Sequence, residues 1–177
     1  MYELCCNKDV QEKARKEIIE VKSSNESNLY NDINNMKYLE TICLETLRLH
    51  PSVPKEVKHC FKNDVLPDGT KLYSGDLICF SPWVMGRNEQ LWDKPLEFKP
   101  DRFLNDLKPN PYKFTAFQAG PRQCLGQSLA ILEMKVCLFR LLSTFEFELA
   151  QSPTSVTYVN TITLPIKNGL QITVKII

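Results

Sequence analysis

The 177-residue chain lacks any apolar run near the roughly 20 residues that span a bilayer. Its first residues, Met1-Tyr-Glu-Leu-Cys-Cys, lack the basic start and the apolar core of a signal peptide. Charge of one sign is missing too: 22 Lys and Arg against 21 Asp and Glu give +1, so nothing suggests nucleic acid. Only two histidines occur, His50 and His59, on either side of a proline-bearing stretch, where they read as structural or surface residues. The seven cysteines are odd in number and scattered, with no CxxC pair and no matching histidines. That argues against a disulfide framework and a zinc site, and fits a reducing compartment. Internal repeats and low-complexity tracts are absent. What is present, 43% hydrophobic and 24% charged residues, is ordinary for one globular domain or a large piece of one.

Periodicity predicts the elements. Asn7 can cap a helix in which Val10, Ala14, Ile18 and Val21 recur at helical spacing, with Lys13, Arg15, Lys16 and Glu17 as its solvated face. Residues 23–28, rich in Ser and Asn, read as a loop. A second helix carries Leu39, Ile42, Cys43 and Leu47 on one stripe and ends at His50-Pro51, because the residue before proline is pushed out of helical geometry. From residue 53 to 80 the texture is β: a strand within 55–60, turns at Pro67-Asp68-Gly69 and Ser74-Gly75-Asp76, and a short strand Leu77-Ile-Cys-Phe80. Residues 82–113 are irregular but hold Trp83, Trp92, Phe98 and Phe103, more aromatic rings than a linker carries. Phe145, Phe147 and Leu149 alternate with glutamates as a half-exposed strand. The end reads as a hairpin, Ile162, Leu164 and Ile166 turning at Lys167-Asn-Gly169 into Leu170, Ile172, Val174 and Ile176. The expected fold class is mainly α with small β elements (α+β).

The chemistry concentrates in Lys113-Phe-Thr-Ala-Phe-Gln-Ala-Gly-Pro-Arg-Gln-Cys-Leu-Gly126. Leu125, Leu129, Leu132, Val136 and Phe139 follow at spacings of four, three, four and three, so a helix starts at or just after Cys124. The unpaired N–H groups and positive dipole end of that helix favour an anion, here a thiolate. Gly120 and Gly126 let the backbone pass close to something flat, and Arg122 supplies a nearby cation. A thiolate held by backbone donors is what a haem iron needs as proximal ligand when the O–O bond is cleaved. In the second helix Glu45 and Arg48 are surface neighbours three apart, a pair worth only a few tenths of a kcal/mol if exposed.

Phe117, Gly120, Arg122, Cys124 and Gly126, at these intervals, resemble the haem-binding signature of the cytochrome P-450 monooxygenases. The resemblance implies that Cys124 is the axial thiolate, that Phe117 packs against it, and that Arg122 partners a haem propionate. Glu45-Thr-Leu-Arg48, followed by Leu49-His-Pro51, resembles the family's Glu-x-x-Arg helix. Pro100-Asp-Arg-Phe103 resembles the meander segment whose arginine joins that pair, with Asp101 where the family usually has Glu. Arg102 would bridge to Glu45 and tie the meander to the helix behind the haem. The segment after Pro51-Ser-Val-Pro54 lines the substrate pocket in the family, which makes Val53, Lys55, Glu56 and Val57 pocket candidates. Lys58 or His59 would lie near a propionate, and spacing does not choose between them. By the same resemblance Asn160, Thr161, Ile162 and Thr163 form the last substrate-contacting loop.

The resemblance covers essentially the whole chain, residues 1–177, as a single C-terminal haem-binding portion of the P-450 domain. Met1-Tyr-Glu-Leu looks like the tail of the long distal helix, so the N-terminal helices, most of the distal helix and the family's membrane anchor are expected outside this sequence. The implied activity is insertion of one atom of O2 into a C–H bond of an apolar substrate, with electrons from NADPH through a reductase. Phe117 to Arg122, Lys113-Phe-Thr-Ala and Val65-Leu-Pro-Asp-Gly-Thr70 look like the plant and fungal branch that hydroxylates fatty acids, with alkanes as the runner-up class. The intact protein would sit on the endoplasmic reticulum membrane, facing the cytosol. The alternative is a truncated, catalytically inactive relative that at most binds haem. A cysteine redox protein is disfavoured, because the nearest cysteine in sequence to Cys124 is Cys137.

Overall fold

The computed structural model describes residues 1–23, 29–159 and 161–177. The α+β expectation holds: helices form the bulk and each sheet has two antiparallel strands. The predicted loop at 23–28 begins at Ser23, the last residue of a helix, and otherwise lies outside the described residues.

Asn7 separates α1 (Tyr2–Cys6) from α2 (Lys8–Ser23). Its carbonyl accepts from Gln11 N–H at 3.1 Å, as an N-cap should, but its side-chain amide turns back to the Glu3 carbonyl at 2.8 Å. The amide NH2 can serve an orphan carbonyl of α1, so the side chain closes that helix instead of opening α2. Val10, Ala14 and Ile18 are buried as their spacing predicts. The opposite face is not simply solvated. Arg15 donates to the carbonyls of Leu142 and Phe145, and Lys13 pairs with Asp101 at 2.7 Å while lying 4.3 Å over the Tyr38 ring.

After α3 (Leu29–Asn35) comes α4 (Lys37–Leu49), buried almost all round. Its predicted stripe is inside, and so are Leu44, Glu45 and Arg48. The first backbone donors of α4 are met from another helix: both oxygens of Glu17 accept, from Tyr38 N–H at 2.8 Å and Leu39 N–H at 2.9 Å. A carboxylate at the positive end of a helix satisfies orphan donors and the dipole together. The helix stops at His50, directly before Pro51, as expected.

Strand β1 (Glu56–His59) runs antiparallel to β4 (Leu77–Phe80), with β2 (Asp64–Val65) and β3 (Lys71–Leu72) as a small hairpin between them. The predicted turns are there, with Gly69 and Gly75 at φ +87° and +99°, the left-handed region that glycine tolerates. The short α5 (Pro82–Met85) leads into irregular chain. Trp92, Phe103, Phe114 and Phe117 form an aromatic cluster there, with Leu44 and Leu47 of α4. The larger core lies between α1, α2, α3, α4, the long α6 (Gln127–Leu142) and β5 (Phe145–Leu149).

One expectation is corrected. The C-terminal turn exists, with Asn168 and Gly169 at φ +61° and +77°, but its arms do not pair. Strand β6 (Ile172–Ile176) pairs with β5 in the register Phe145–Ile176 to Leu149–Ile172, while Ile166 bridges Tyr158 in a separate hairpin. Pairing with β5 sets Val174 against the buried Phe147, a cross-strand contact that the local arm cannot offer. The 4-3-4-3 stripe of α6 is split: Phe139 is buried and Leu132 packs against the core, whereas Leu125 is fully exposed and Leu129 is 60% exposed. Apolar side chains surround this helix, so periodicity alone leaves open which side meets the core. Beside Phe139 the buried face also holds Leu142 and Lys135, whose ammonium reaches Asn34 O at 2.8 Å and Glu40 at 3.0 Å.

Replacing Glu17 with Ala should destabilise the protein by about 1–3 kcal/mol, since two helix donors lose a charged acceptor. Glu17→Gln, which keeps an acceptor, should cost less. Urea unfolding midpoints of the two variants check the order.

Candidate functional site

Behind the site stands a buried ionic knot. Glu45 and Arg48, neighbours on one turn of α4, have fully buried side chains. Arg48 Nε and Nη2 donate to the two Glu45 oxygens at 2.7 and 2.8 Å. Its other donors reach the carbonyls of Gly86, Pro95 (2.7 Å) and Glu97 (3.1 Å), so all five guanidinium N–H groups have an acceptor. Arg102 donates to Glu45 Oε1 at 3.0 Å and to the carbonyls of Asp93, Lys94 and Glu97. The Lys99 amide adds a further bond to Oε1 at 2.8 Å. The structure thus brings Glu45, Arg48 and Arg102 together. Asp101 faces outward to Lys13, so the residue that departs from the usual Glu takes no part in the knot.

Aromatic packing carries this anchor to the cysteine loop. Trp92 lies 5.4 Å from the Arg48 guanidinium and donates its indole N–H to Met85 O at 3.1 Å. Its ring packs on Phe103 at 5.8 Å, and Phe103 on Phe114 at 5.6 Å. Phe114 begins the loop. Thr115–Phe117 and Gly120–Arg122 are single 3-10 turns separated by Gln118 and Ala119, and two residues at this junction, Gln118 and Gly120, have φ +60° and +73°. The loop closes when Cys124 N–H donates to Phe117 O at 2.8 Å.

Phe117 is buried, whereas Cys124 and Arg122 are exposed. Gly126 is the N-cap residue of α6, so the helix begins three residues past the cysteine. Among the described residues the amides of Leu125 and Gly126 have no backbone acceptor, which leaves them for an anion at this end of the helix. The fully exposed Leu125, next to Cys124 in the chain, and the largely exposed Leu129 leave apolar surface uncovered at the start of α6. A neighbouring cleft of about 340 Å³ is lined by Phe114, Phe117, Gln118, Gln123 and Gln127 but not by Cys124.

Lys58 and His59 part ways. Successive residues of β1 face opposite sides: Glu56 and Lys58 are half-buried, Val57 and His59 exposed. Lys58 Nζ reaches Gln118 Oε1 in the cysteine loop at 2.6 Å, while the His59 ring packs against the exposed Phe61. Strand alternation puts the two on opposite faces, and the packing of β1 decides which face meets the cysteine loop. Val53 is half-buried and Lys55 exposed. Thr161, Ile162 and Thr163 are exposed, with Thr161 Oγ1 donating to Thr163 O at 2.7 Å; Asn160 lies outside the described residues. Two residues had no sequence signal: Gln118, which holds Lys58, and Gly86, where an added Cβ would collide with the Arg48 carbonyl oxygen. Of the two histidines read as structural or surface residues, His50 is a half-buried, hydrogen-bonded hub and His59 is exposed.

Among the described residues no His, Cys, Asp and Glu cluster could hold a metal ion by itself, and no helix is long and apolar enough to cross a membrane. The family model for cytochrome P-450 matches residues 1–172, and the chain belongs to that family. Cytochrome P-450 704C1 of Pinus taeda is 39% identical over 194 residues, covering 98% of this chain and 37% of the relative. Cytochrome P-450 704B1 of Arabidopsis thaliana is 40% identical over 149 residues, covering 82% and 28%. Noroxomaritidine synthase of Narcissus is likewise 40% identical, covering 82% and 29%. The chain therefore spans about a third of the length of these relatives.

Removing one partner of the knot leaves an unpaired buried charge, so Arg48→Ala should cost about 3–5 kcal/mol in urea unfolding. Gly86→Ala should destabilise comparably, because the colliding atom is backbone and cannot swing aside. Thiol alkylation gives a second check. Burial pushes the Cys43 thiol up to about 12, whereas Cys124 is exposed. At pH 8 iodoacetamide should modify Cys124 long before Cys43, read by peptide mass spectrometry.

Proposed function

We propose that this chain carries the haem-thiolate site of a monooxygenase, with Cys124 as axial ligand. The observation that carries the reading is an exposed thiol at the end of a loop closed by the Cys124–Phe117 backbone bond, beside open amides and uncovered apolar surface. These residues fit a flat, apolar, anionic group. The buried Phe117 fixes the loop from inside. Gly120 supplies its left-handed turn, and Gly126 leaves its would-be Cβ only in ordinary contact, 3.8 Å from Cys124 Sγ. Arg122 and Lys58 are cations for the propionates. Lys58 is favoured over His59 because its ammonium already lies against the cysteine loop. Glu45, Arg48 and Arg102 hold that loop's support in place and take no part in the chemistry.

When bound, the haem supplies reductive activation of O2: one atom enters a C–H bond, the other leaves as water, with two electrons and two protons consumed. Around it, Val53, Lys55, Glu56 and Val57 after the Pro51–Pro54 segment and Thr161, Ile162 and Thr163 would line the substrate side. We assign an apolar substrate, a long-chain fatty acid, on the resemblance of Val65 to Thr70 and Phe117 to Arg122 to fatty-acid hydroxylases. Electrons would come from NADPH through a reductase, and the whole protein would work on the cytosolic face of the endoplasmic reticulum. One relative is named for noroxomaritidine synthesis, a reminder that substrate class varies at this level of identity.

The test is the absorption spectrum of the haem-loaded, reduced, carbon-monoxide-bound protein. A red-shifted thiolate-type Soret band, lost in Cys124→Ala and kept in Cys137→Ala, is expected. Equal loss in both variants would refute the ligand assignment. A histidine-type or free-haem band in the wild type would favour the inactive relative.

A further inference from the structure

Three elements far apart in sequence meet at His50. Its Nε2 lies 2.6 Å from Glu3 Oε1 on α1, and its Nδ1 2.7 Å from the Tyr158 hydroxyl. A neutral ring with its proton on Nε2 satisfies both contacts, donating to the carboxylate and accepting from the phenol. Burial pushes the Tyr158 hydroxyl pKa up, which keeps it a donor. Aromatic rings enclose the relay: Tyr2 and Trp83 pack edge-on against His50, and Trp83 also meets Tyr158 at 5.5 Å. Arg87 lies over the Trp83 ring at 3.4 Å and donates at 2.5 Å to the carbonyl of Leu49, the last residue of α4.

Tyr158 stands at the base of a small hairpin. Val159 N–H donates to Pro165 O, Lys167 N–H to Thr157 O, and Tyr158 bridges Ile166. The returning arm touches the chain just past His50: Leu164 N–H donates to Ser52 O at 3.0 Å. At the tip Ile162 is 88% exposed, a large apolar side chain with nothing packed on it. The hairpin thus has two fastenings to residues 50–52, and one of them runs through His50 to Glu3.

We propose that Glu3, His50 and Tyr158 are positioning residues whose relay seats the hairpin arms 157–159 and 161–167 on the 50–52 segment and so sets where Ile162 meets an apolar substrate. The inference rests on the proposed function, in which residues 161–163 touch substrate. The segment that receives the hairpin continues through Val53 into β1, whose Lys58 reaches the cysteine loop. A displacement of the hairpin therefore moves the tip relative to that loop without loosening the loop itself.

The experiment follows Tyr158→Phe, which keeps the ring and deletes one hydrogen bond, in the haem-loaded protein. Amide exchange at Val159, Leu164 and Lys167 should quicken about fivefold, the worth of one such bond, with α4 amides unchanged. Dodecanoic acid, titrated by its spectral shift, should bind more weakly by a similar factor while the carbon-monoxide band stays as in the wild type. Glu3→Leu should reproduce this, and Glu3→Gln, which keeps a carbonyl acceptor, should restore most of it. Unchanged exchange at the three amides overturns the proposal whatever the haem does. Faster exchange with unchanged dodecanoic acid binding also overturns it, reducing the relay to a structural strap. A wild-type protein without the thiolate band refutes the Cys124 reading instead, and amide exchange still decides the seating.

Discussion

The carboxylate of Glu45 is the point on which the rest depends. It sits fully buried and carries two guanidinium partners and a backbone amide, four bonds in all. A buried ion pair is poor evidence of stability in itself, because desolvation offsets most of the Coulomb gain. Its value here lies in what the arginines do with their remaining donors. Residues 86–99 have no ladder in which to satisfy their carbonyls, and a buried carbonyl without a donor is costly. Arg48 and Arg102 supply those donors to Gly86, Asp93, Lys94, Pro95 and Glu97, which turns an irregular stretch into a fixed platform. Glu45 holds the arginines in the one geometry that reaches them all.

From that platform to the thiol the connection is aromatic. Trp92, Phe103 and Phe114 pack ring on ring, and Phe117, in the same cluster, accepts at its carbonyl from Cys124 N–H. Close packing transmits position well, because interiors have little free volume to absorb a shift. The cysteine loop is therefore held from behind by buried rings while its thiol side stays open. The same division appears on α6, where Lys135, Phe139 and Leu142 face the core and Leu125 and Leu129 do not.

Much of the site was legible because its features are local. Positive-φ glycine, a cysteine three residues before a helix, and an acid and a base one turn apart each occupy a short window. The bond from Glu45 to Arg102 was reached only through resemblance, since 57 residues separate them. Other contacts left no trace in sequence. Gln11 clamps Leu4 and Phe147, Glu17 caps a helix it does not belong to, and Gln118 holds Lys58. Polar side chains on a predicted helix read as solvated by default, and only the partner's position in space overrides that reading.

By itself the sequence determined where α2, α4, α6 and the glycine turns lie, that proline ends α4 at His50, and that the cysteine loop carries the P-450 signature. These follow from steric limits on φ and ψ and from side-chain periodicity, which act over a few residues. The tertiary structure decided which face of α6 is buried, that β6 pairs with β5 instead of folding back on residues 162–166, and that Lys58 and not His59 reaches the cysteine loop. Each of those is a choice between locally equivalent options. Burial of Phe147, pairing of Lys135 and the alternation of β1 against its neighbours made the choice, and all three require the chain to be folded.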